Sequence, residues 1–234
     1  MSQILSQRLR RVAARLRKSQ VEEAGVTADR LESIAMTMAT RPRPGSLIRA
    51  LRAATAQTGT PIDSTMGAAV KALQGTQYAL IGGFSVQTYV STRVSEDIDF
   101  VIRAEDVPAA IENLTAARFE NHGMTEVGNL RFHIFERSGV GCDLMLAEKD
   151  YQLEAIQTAR TVPLEGISIR NVQAPYLVLF KLDAMRGEKD EQDIKDLIRS
   201  GAIDVESATQ MVEQFLPDLA EDFSSLAQMA ELGL

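Results

Sequence analysis

The period of the apolar residues changes repeatedly between residues 78 and 171, and this limits the fold more than any other feature. Tyr78-Ala79-Leu80-Ile81 is a short apolar run that stops at Gly82-Gly83. A run of that length, closed by a glycine turn, reads as a buried strand. Ile98-Asp99-Phe100-Val101-Ile102 reads as a second strand, with acids at its start. Further strands are expected at 124–128, 131–136 and 142–147, and short extended pieces within 160–170. Helical stretches alternate with them: one over 84–92, one capped by Asp106 and running through 119, and one over 150–158. On either side the pattern is helical. Leu5, Leu9, Val12 and Leu16 recur at helical spacing within 2–20, and Thr27 is placed to cap a helix through about residue 39. The Arg41-Pro42-Arg43-Pro44-Gly45 break is followed by helical stretches near 46–56 and 63–73. From Pro175 onward the sequence is helical again.

The expected fold is therefore α/β of the α+β kind, a small mixed sheet flanked by helices. It divides into a basic helical region over 1–75, a sheet-bearing core over 76–174 and a helical region over 175–234. The 45% hydrophobic and 24% charged content suits a chain that packs a core.

Composition then narrows the chemistry. One cysteine, Cys142, excludes an intrachain disulfide and a cysteine-based zinc site. With only His122 and His133 available, a bound metal falls to the 32 Asp and Glu residues. No run of eighteen apolar residues is present, and the arginine-bearing start of the chain lacks the apolar stretch of a secretory signal. A soluble cytoplasmic protein without a membrane partner is the expectation. The first 60 residues carry 11 Lys and Arg against 4 Asp and Glu, whereas the remaining residues carry 14 against 28. Such a basic arm docks on the acidic body or a neighbouring subunit, or meets RNA or an acidic partner. Trp is absent and aromatics make up 5%, which disfavours extended base-stacking surfaces.

Three short segments carry candidate chemistry. Gly82-Gly83-Phe84-Ser85 sits between a strand and a helix, where a backbone without Cβ lets amide groups approach an anion such as phosphate. The same turn also serves purely steric ends. Asp97-Ile98-Asp99 places two carboxylates on one face if both lie in a strand. Two such acids repel unless a cation sits between them, and Mg2+ accepts oxygen ligands; solvated acids at a strand edge are the plainer reading. Asp143 interrupts the apolar strand Val140–Leu146 and is costly to bury unless paired or bound to metal. At a strand start facing water it would carry no such cost.

Taken together, strand, Gly-Gly, helix, Asp-x-Asp and a later lone strand Asp resemble the polymerase-β-like nucleotidyltransferase superfamily. Thirteen residues separate Gly83 from Asp97. The strings Ile81–Ser85 and Arg93–Phe100 look like its minimal prokaryotic branch, which includes AbiEii-type toxin–antitoxin nucleotidyltransferases. Pro175–Arg186, with Lys189-Asp190 and Asp193-Ile194, is similar to that branch's late helix motif. The chain departs from the family by carrying Gly83 where many relatives have Ser, and Ser95 in place of a Thr.

The resemblance implies transfer of an NMP from an NTP to an acceptor hydroxyl by a metal-ion mechanism. Asp97, Asp99 and Asp143 would be the catalytic and metal-holding acids, with Mg2+ or Mn2+ as cofactor. Gly82, Gly83, Ser85 and Lys181 would bind the nucleotide, and Arg93, Asp190 and Asp193 would support the site. Lys181 and the two later acids also read as a snorkelling lysine and a solvated helix face. The implied partners are an NTP, an acceptor such as tRNA or a protein, and a cognate antitoxin or toxin; an oligomer is compatible. Competing readings are a catalytically silent interaction protein of the same fold, a metal-dependent glycosyltransferase and a helical partner-binding protein.

Overall fold

The computed structural model describes residues 61–233, apart from residues 94, 128–129, 165 and 185–186. The helices expected within 2–56, the break at 41–45 and Arg186 of the late motif lie outside the described residues.

Alternating side chains make the described chain a mixed sheet with a helical layer on each face. The strands are β1 (Tyr78–Ile81), β2 (Ile98–Arg103), β3 (Glu120–Val127), β4 (Leu130–Arg137), β5 (Val140–Ala147), β6 (Arg160–Leu164) and β7 (Ile167–Asn171). They form one seven-stranded sheet in the order β3-β4-β5-β2-β1-β7-β6. The pairs β2–β5 and β1–β7 run parallel, and the other neighbours run antiparallel. The mixed α/β class expected from the sequence is the one observed.

Successive residues of a strand point to opposite faces, so each central strand feeds two separate cores. Tyr78, Leu80, Ile98, Phe100, Ile102, Cys142, Leu144 and Leu146 belong to the back core. Helices α1 (Pro61–Ala72) and α3 (Val107–Ala116) cover it with Met66, Ala69, Val107, Ala110 and Leu114. The helical stretch read at 63–73 thus contributes directly to the sheet's packing. Ala79, Ile81, Val101, Met145 and Ala147 belong to the front core. It is closed by α4 (Asp150–Thr158), α5 (Ala174–Ala184), α6 (Glu188–Arg199), α7 (Val205–Phe215) and α8 (Ala220–Leu232), through Tyr151, Leu177, Ile194, Val212 and Phe223. In α5, Tyr176 through Leu182 are all buried, as in a helix wrapped by protein on every side.

Two local expectations change. The helix after β1, α2 (Gly82–Gln87), is shorter than the 84–92 stretch read from sequence and begins at the glycines themselves. Asp106 precedes α3, but its side chain makes no capping bond. Its Oδ2 instead accepts from the backbone N–H of Gln77 at 2.7 Å, tying the entry of β1 to the exit of β2. The long-range partner wins because Gln77 sits where β1 begins and has no ladder bond of its own to satisfy that N–H.

Candidate active site

Strand register brings together residues far apart in the chain. Across the parallel β2–β5 pair, Asp99 stands opposite Asp143, flanked by Ile98 opposite Cys142 and Phe100 opposite Leu144. Ile98, Phe100, Cys142 and Leu144 turn to the back core, so Asp99 and Asp143 both turn to the front. On the other side of β2, Ile81 is the register partner of Asp99. The chain then enters α2 through Gly82, whose φ of +65° is a conformation glycine adopts without cost. The glycine is needed for space as well. A Cβ at Gly82 would lie 2.6 Å from Asp99 Cγ and collide with its Oδ2.

These groups open onto a cavity of about 120 Å³. One end is polar, with Gly82, Asp99, Asp143 and Lys181; the rest is apolar, including Leu130, Phe132, Met145, Leu177 and Phe180. Lys181 reaches it from α5 with only 3% exposure. Its Nζ donates to Asp190 Oδ1 at 2.8 Å and to Asp193 Oδ2 at 2.6 Å. Asp193 also accepts from Arg93 Nε at 2.6 Å and from its terminal nitrogen at 3.2 Å. Asp190, Asp193, Ile194 and Leu197 share the buried stripe of α6. Two acids on an apolar stripe require paired cations, and Lys181 with Arg93 supply them. Lys181 is thus a buried, fixed ammonium rather than a snorkelling side chain.

The glycine corner is packed from behind. A Cβ at Gly83 would lie 2.8 Å from Ser95 Cβ and 3.2 Å from a terminal nitrogen of Arg93. Ser85 is fully buried within α2, outside the cavity wall, and its Oγ has no hydrogen-bond partner among the described residues.

Asp97 lies exposed in the bend that leads into β2, which begins at Ile98. Its carboxylate approaches β5: a Cβ at Gly141, which alternates with back-facing Cys142 and so shares the front face with Asp143, would lie 2.9 Å from Asp97 Oδ1. Asp97, Asp99 and Asp143 therefore lie along adjoining ends of β2 and β5, with Asp99 and Asp143 as the facing pair. Among the described residues, no group of three His, Cys, Asp or Glu side chains is arranged to hold a metal ion. Behind the pair, burial and the charges of Asp143 and Asp99 push the Cys142 thiol up, so it stays protonated and is no nucleophile.

Sequence reasoning missed the apolar wall: Thr125 and Leu130 from the β3–β4 hairpin, Phe132 and Ile134 from β4, and Phe180 from α5. Alternation within 131–136 was the available signal. It tells that Phe132 and Ile134 share a face, but not that this face meets α5. A further, partly buried carboxylate was also missed. Asp183 accepts from Lys149 Nζ at 2.6 Å and from the Tyr151 hydroxyl at 2.7 Å, fastening α4 to α5 beside the cavity.

Residues 64–225 match the family model described as "Nucleotidyl transferase of unknown function (DUF2204)". The chain belongs to this family. Its membership makes the protein a nucleotidyltransferase by fold and class, and the acid pair lies inside the matched span. Solved structures similar to the chain include the antibiotic-resistance factor ANT(2'')-Ia in solution, at 12% identity over 70% of this chain and 88% of that chain, TM-score 0.47. ANT(2'')-Ia in complex with adenylyl-2''-tobramycin is similar at 14% identity over 71% and 98%, TM-score 0.48. A cytoplasmic RNA terminal U-transferase is similar at 14% identity over 66% and 38%, TM-score 0.30. No curated protein sequence matches the chain. Among the described residues, no helix is long and apolar enough to cross a membrane.

Proposed function

We propose that this nucleotidyltransferase moves an NMP from an NTP to an acceptor hydroxyl in the cavity between the front of the sheet and α5. One observation carries the reading: Asp99 and Asp143 face each other across β2 and β5, beside a glycine whose missing side chain leaves them room. Two carboxylates side by side are unfavourable without a cation.

The donor set fits a hard divalent ion, since Mg2+ is commonly held by one or two carboxylates together with water and substrate phosphates. Asp99 and Asp143 would hold it, with Asp97 at the same end of the strands. When bound, the ion would offset the negative charge gathered there and make the acceptor hydroxyl more acidic. The protein's own groups do the rest. Gly82 and Gly83, which open α2, would meet the triphosphate through their backbone N–H groups. Lys181, pinned by Asp190 and Asp193, presents its ammonium to the charge that builds on departing pyrophosphate. Arg93 and Asp193 brace the corner behind Gly83. In the reaction the acceptor oxygen bonds to the α-phosphorus, the bond from that phosphorus to the β-phosphate oxygen breaks, and the hydroxyl proton leaves to solvent.

RNA is the acceptor class that the basic first 60 residues favour, because phosphate contacts need Lys and Arg. A toxin–antitoxin setting is the physiological frame implied by the sequence resemblance. The test incubates the protein with each α-labelled NTP, Mg2+ or Mn2+, and cell lysate, then fractionates RNA, protein and small molecules. Label entering RNA, and lost with Asp99→Asn, is the expected result. Label in protein or small molecules replaces the acceptor. NTP binding without transfer to any fraction makes the protein a silent member of its family.

A further inference from the structure

The cavity is divided, and its division matches a single ligand. At one end stand Asp99, Asp143, Lys181 and the backbone of Gly82. Beyond them the wall becomes Leu130, Phe132, Met145, Leu177 and Phe180, with the Thr125 hydroxyl at the hairpin. Phe132 and Met145 are register partners on β4 and β5, as are Ile134 and Asp143. The apolar wall therefore continues the same sheet face that carries the acids, with no barrier between the two ends. Phe180 and Leu177 approach this face from α5, the helix that also delivers Lys181. A nucleoside triphosphate is built in the same way, with an anionic tail and a flat base whose faces are apolar.

Resting on the proposed transfer reaction, we infer that the apolar end seats the base of the NTP, with Phe132 providing an aromatic face against it and Thr125 a hydrogen-bonding group at its edge. This end suits an RNA acceptor poorly. An RNA acceptor brings phosphates, and the only cationic side chain among the described lining residues is Lys181 at the opposite end. The chain is poor in aromatics, with eight Phe, four Tyr and no Trp, and two of its phenylalanines line this one cavity. Phe132 packs against the edge of the front core and stays partly exposed, whereas Phe180 is buried within it.

The test separates the base from the phosphates by using two probes on the full chain: an NTP and inorganic tripolyphosphate, each with Mg2+, titrated calorimetrically. Removing a ring that stacks on a base costs about 1–3 kcal/mol. Phe132→Ala is therefore expected to weaken NTP binding on the order of tenfold or more and to leave tripolyphosphate binding unchanged. Phe132→Tyr, which keeps the ring, is expected to restore NTP binding. Thermal unfolding of both variants confirms that they fold. Equal weakening of both probes would show that Phe132 shapes the phosphate end, and unchanged NTP binding would place the base elsewhere; either result overturns the inference. An acceptor KM that rises while NTP binding holds also overturns it and gives the apolar end to the acceptor. Binding of neither probe by the unmodified protein defeats the transfer reading itself, so the two failures are distinct.

Discussion

The two faces of the central sheet are made by the same strands and serve opposite ends. On the back, Ile98, Phe100, Cys142 and Leu144 are fully buried in an unbroken apolar layer. On the front, one residue further along each strand, Asp99 and Asp143 interrupt the apolar series and open onto the cavity. Burying polar charge costs free energy that a Val or Leu at the same position would not. Both faces are packed cores, but at these strand positions only the front gives up apolar burial to hold charge. A strand that alternates so sharply separates the two tasks by a single residue.

Neighbours on β5 give the sharpest way to break this division. Asp143→Asn is expected to lower NMP transfer about a hundred- to a thousandfold, the scale of losing one electrostatic group at a reacting centre. The protein should stay folded, because the amide keeps the size and shape of the side chain. Leu144→Ala, one residue on, should do the reverse. It is expected to cost about 2–5 kcal/mol in a denaturant titration, with transfer per folded molecule unchanged. If Leu144→Ala abolished transfer at full stability, or Asp143→Asn unfolded the protein, the faces would not be separate.

Gly82 tests the corner where the front face meets the phosphate turn. Gly82→Ala puts a Cβ into a left-handed conformation, which costs about 1–3 kcal/mol, and drives it against the Asp99 carboxylate. Both stability and transfer should fall. In an Asp99→Gly background, which removes the Asp99 Cβ at 2.8 Å as well as its carboxyl group, the collision is gone and only the backbone strain remains, so the added stability cost should shrink. That difference, read as a double-mutant cycle, measures the clash alone. An undiminished cost would mean that the glycine serves its backbone angle and not the space beside the acid.

Much of this arrangement was legible in the sequence, for physical reasons that can be named. Apolar alternation set β5 and its odd acid, and the Gly-Gly turn marked the end of β1, because both signals are local. What escaped was tertiary. The approach of Asp97 to Gly141 depends on the register between β2 and β5, which no local signal sets. Asp106 read as a helix cap, yet its carboxylate found Gln77, twenty-nine residues away. Lys181, Asp190 and Asp193 were visible as a charged group near a helix, but nothing local says that all three are buried together or that Arg93 completes the set. β3 is expected at 124–128 and begins at Glu120, because polar Glu120–Gly123 is held by its ladder to β4 and by the Gly123 N–H donating to Asn121 Oδ1 at 2.8 Å.

Cys142 reports on the back face most gently. Its thiol, normally near 9.0, is pushed upward by burial first and then by the charges of Asp143 and Asp99 on the opposite face. An acid whose pKa is raised by folding stabilises the protein below its unfolded pKa, and that contribution is lost as the pH climbs above it. The unfolded chain ionises its thiol above pH 9 while the folded chain does not. Stability should therefore fall by about 1.4 kcal/mol for each pH unit above 9 from this group alone. Denaturant titrations at pH 8, 9 and 10 on the protein and on Cys142→Ala isolate the effect, because the other titrating groups are common to both. The unmodified protein should lose stability relative to Cys142→Ala across that range. Parallel profiles would mean that the thiol ionises in the folded state, so that water reaches the back of the sheet and the two faces are less different than their residues make them.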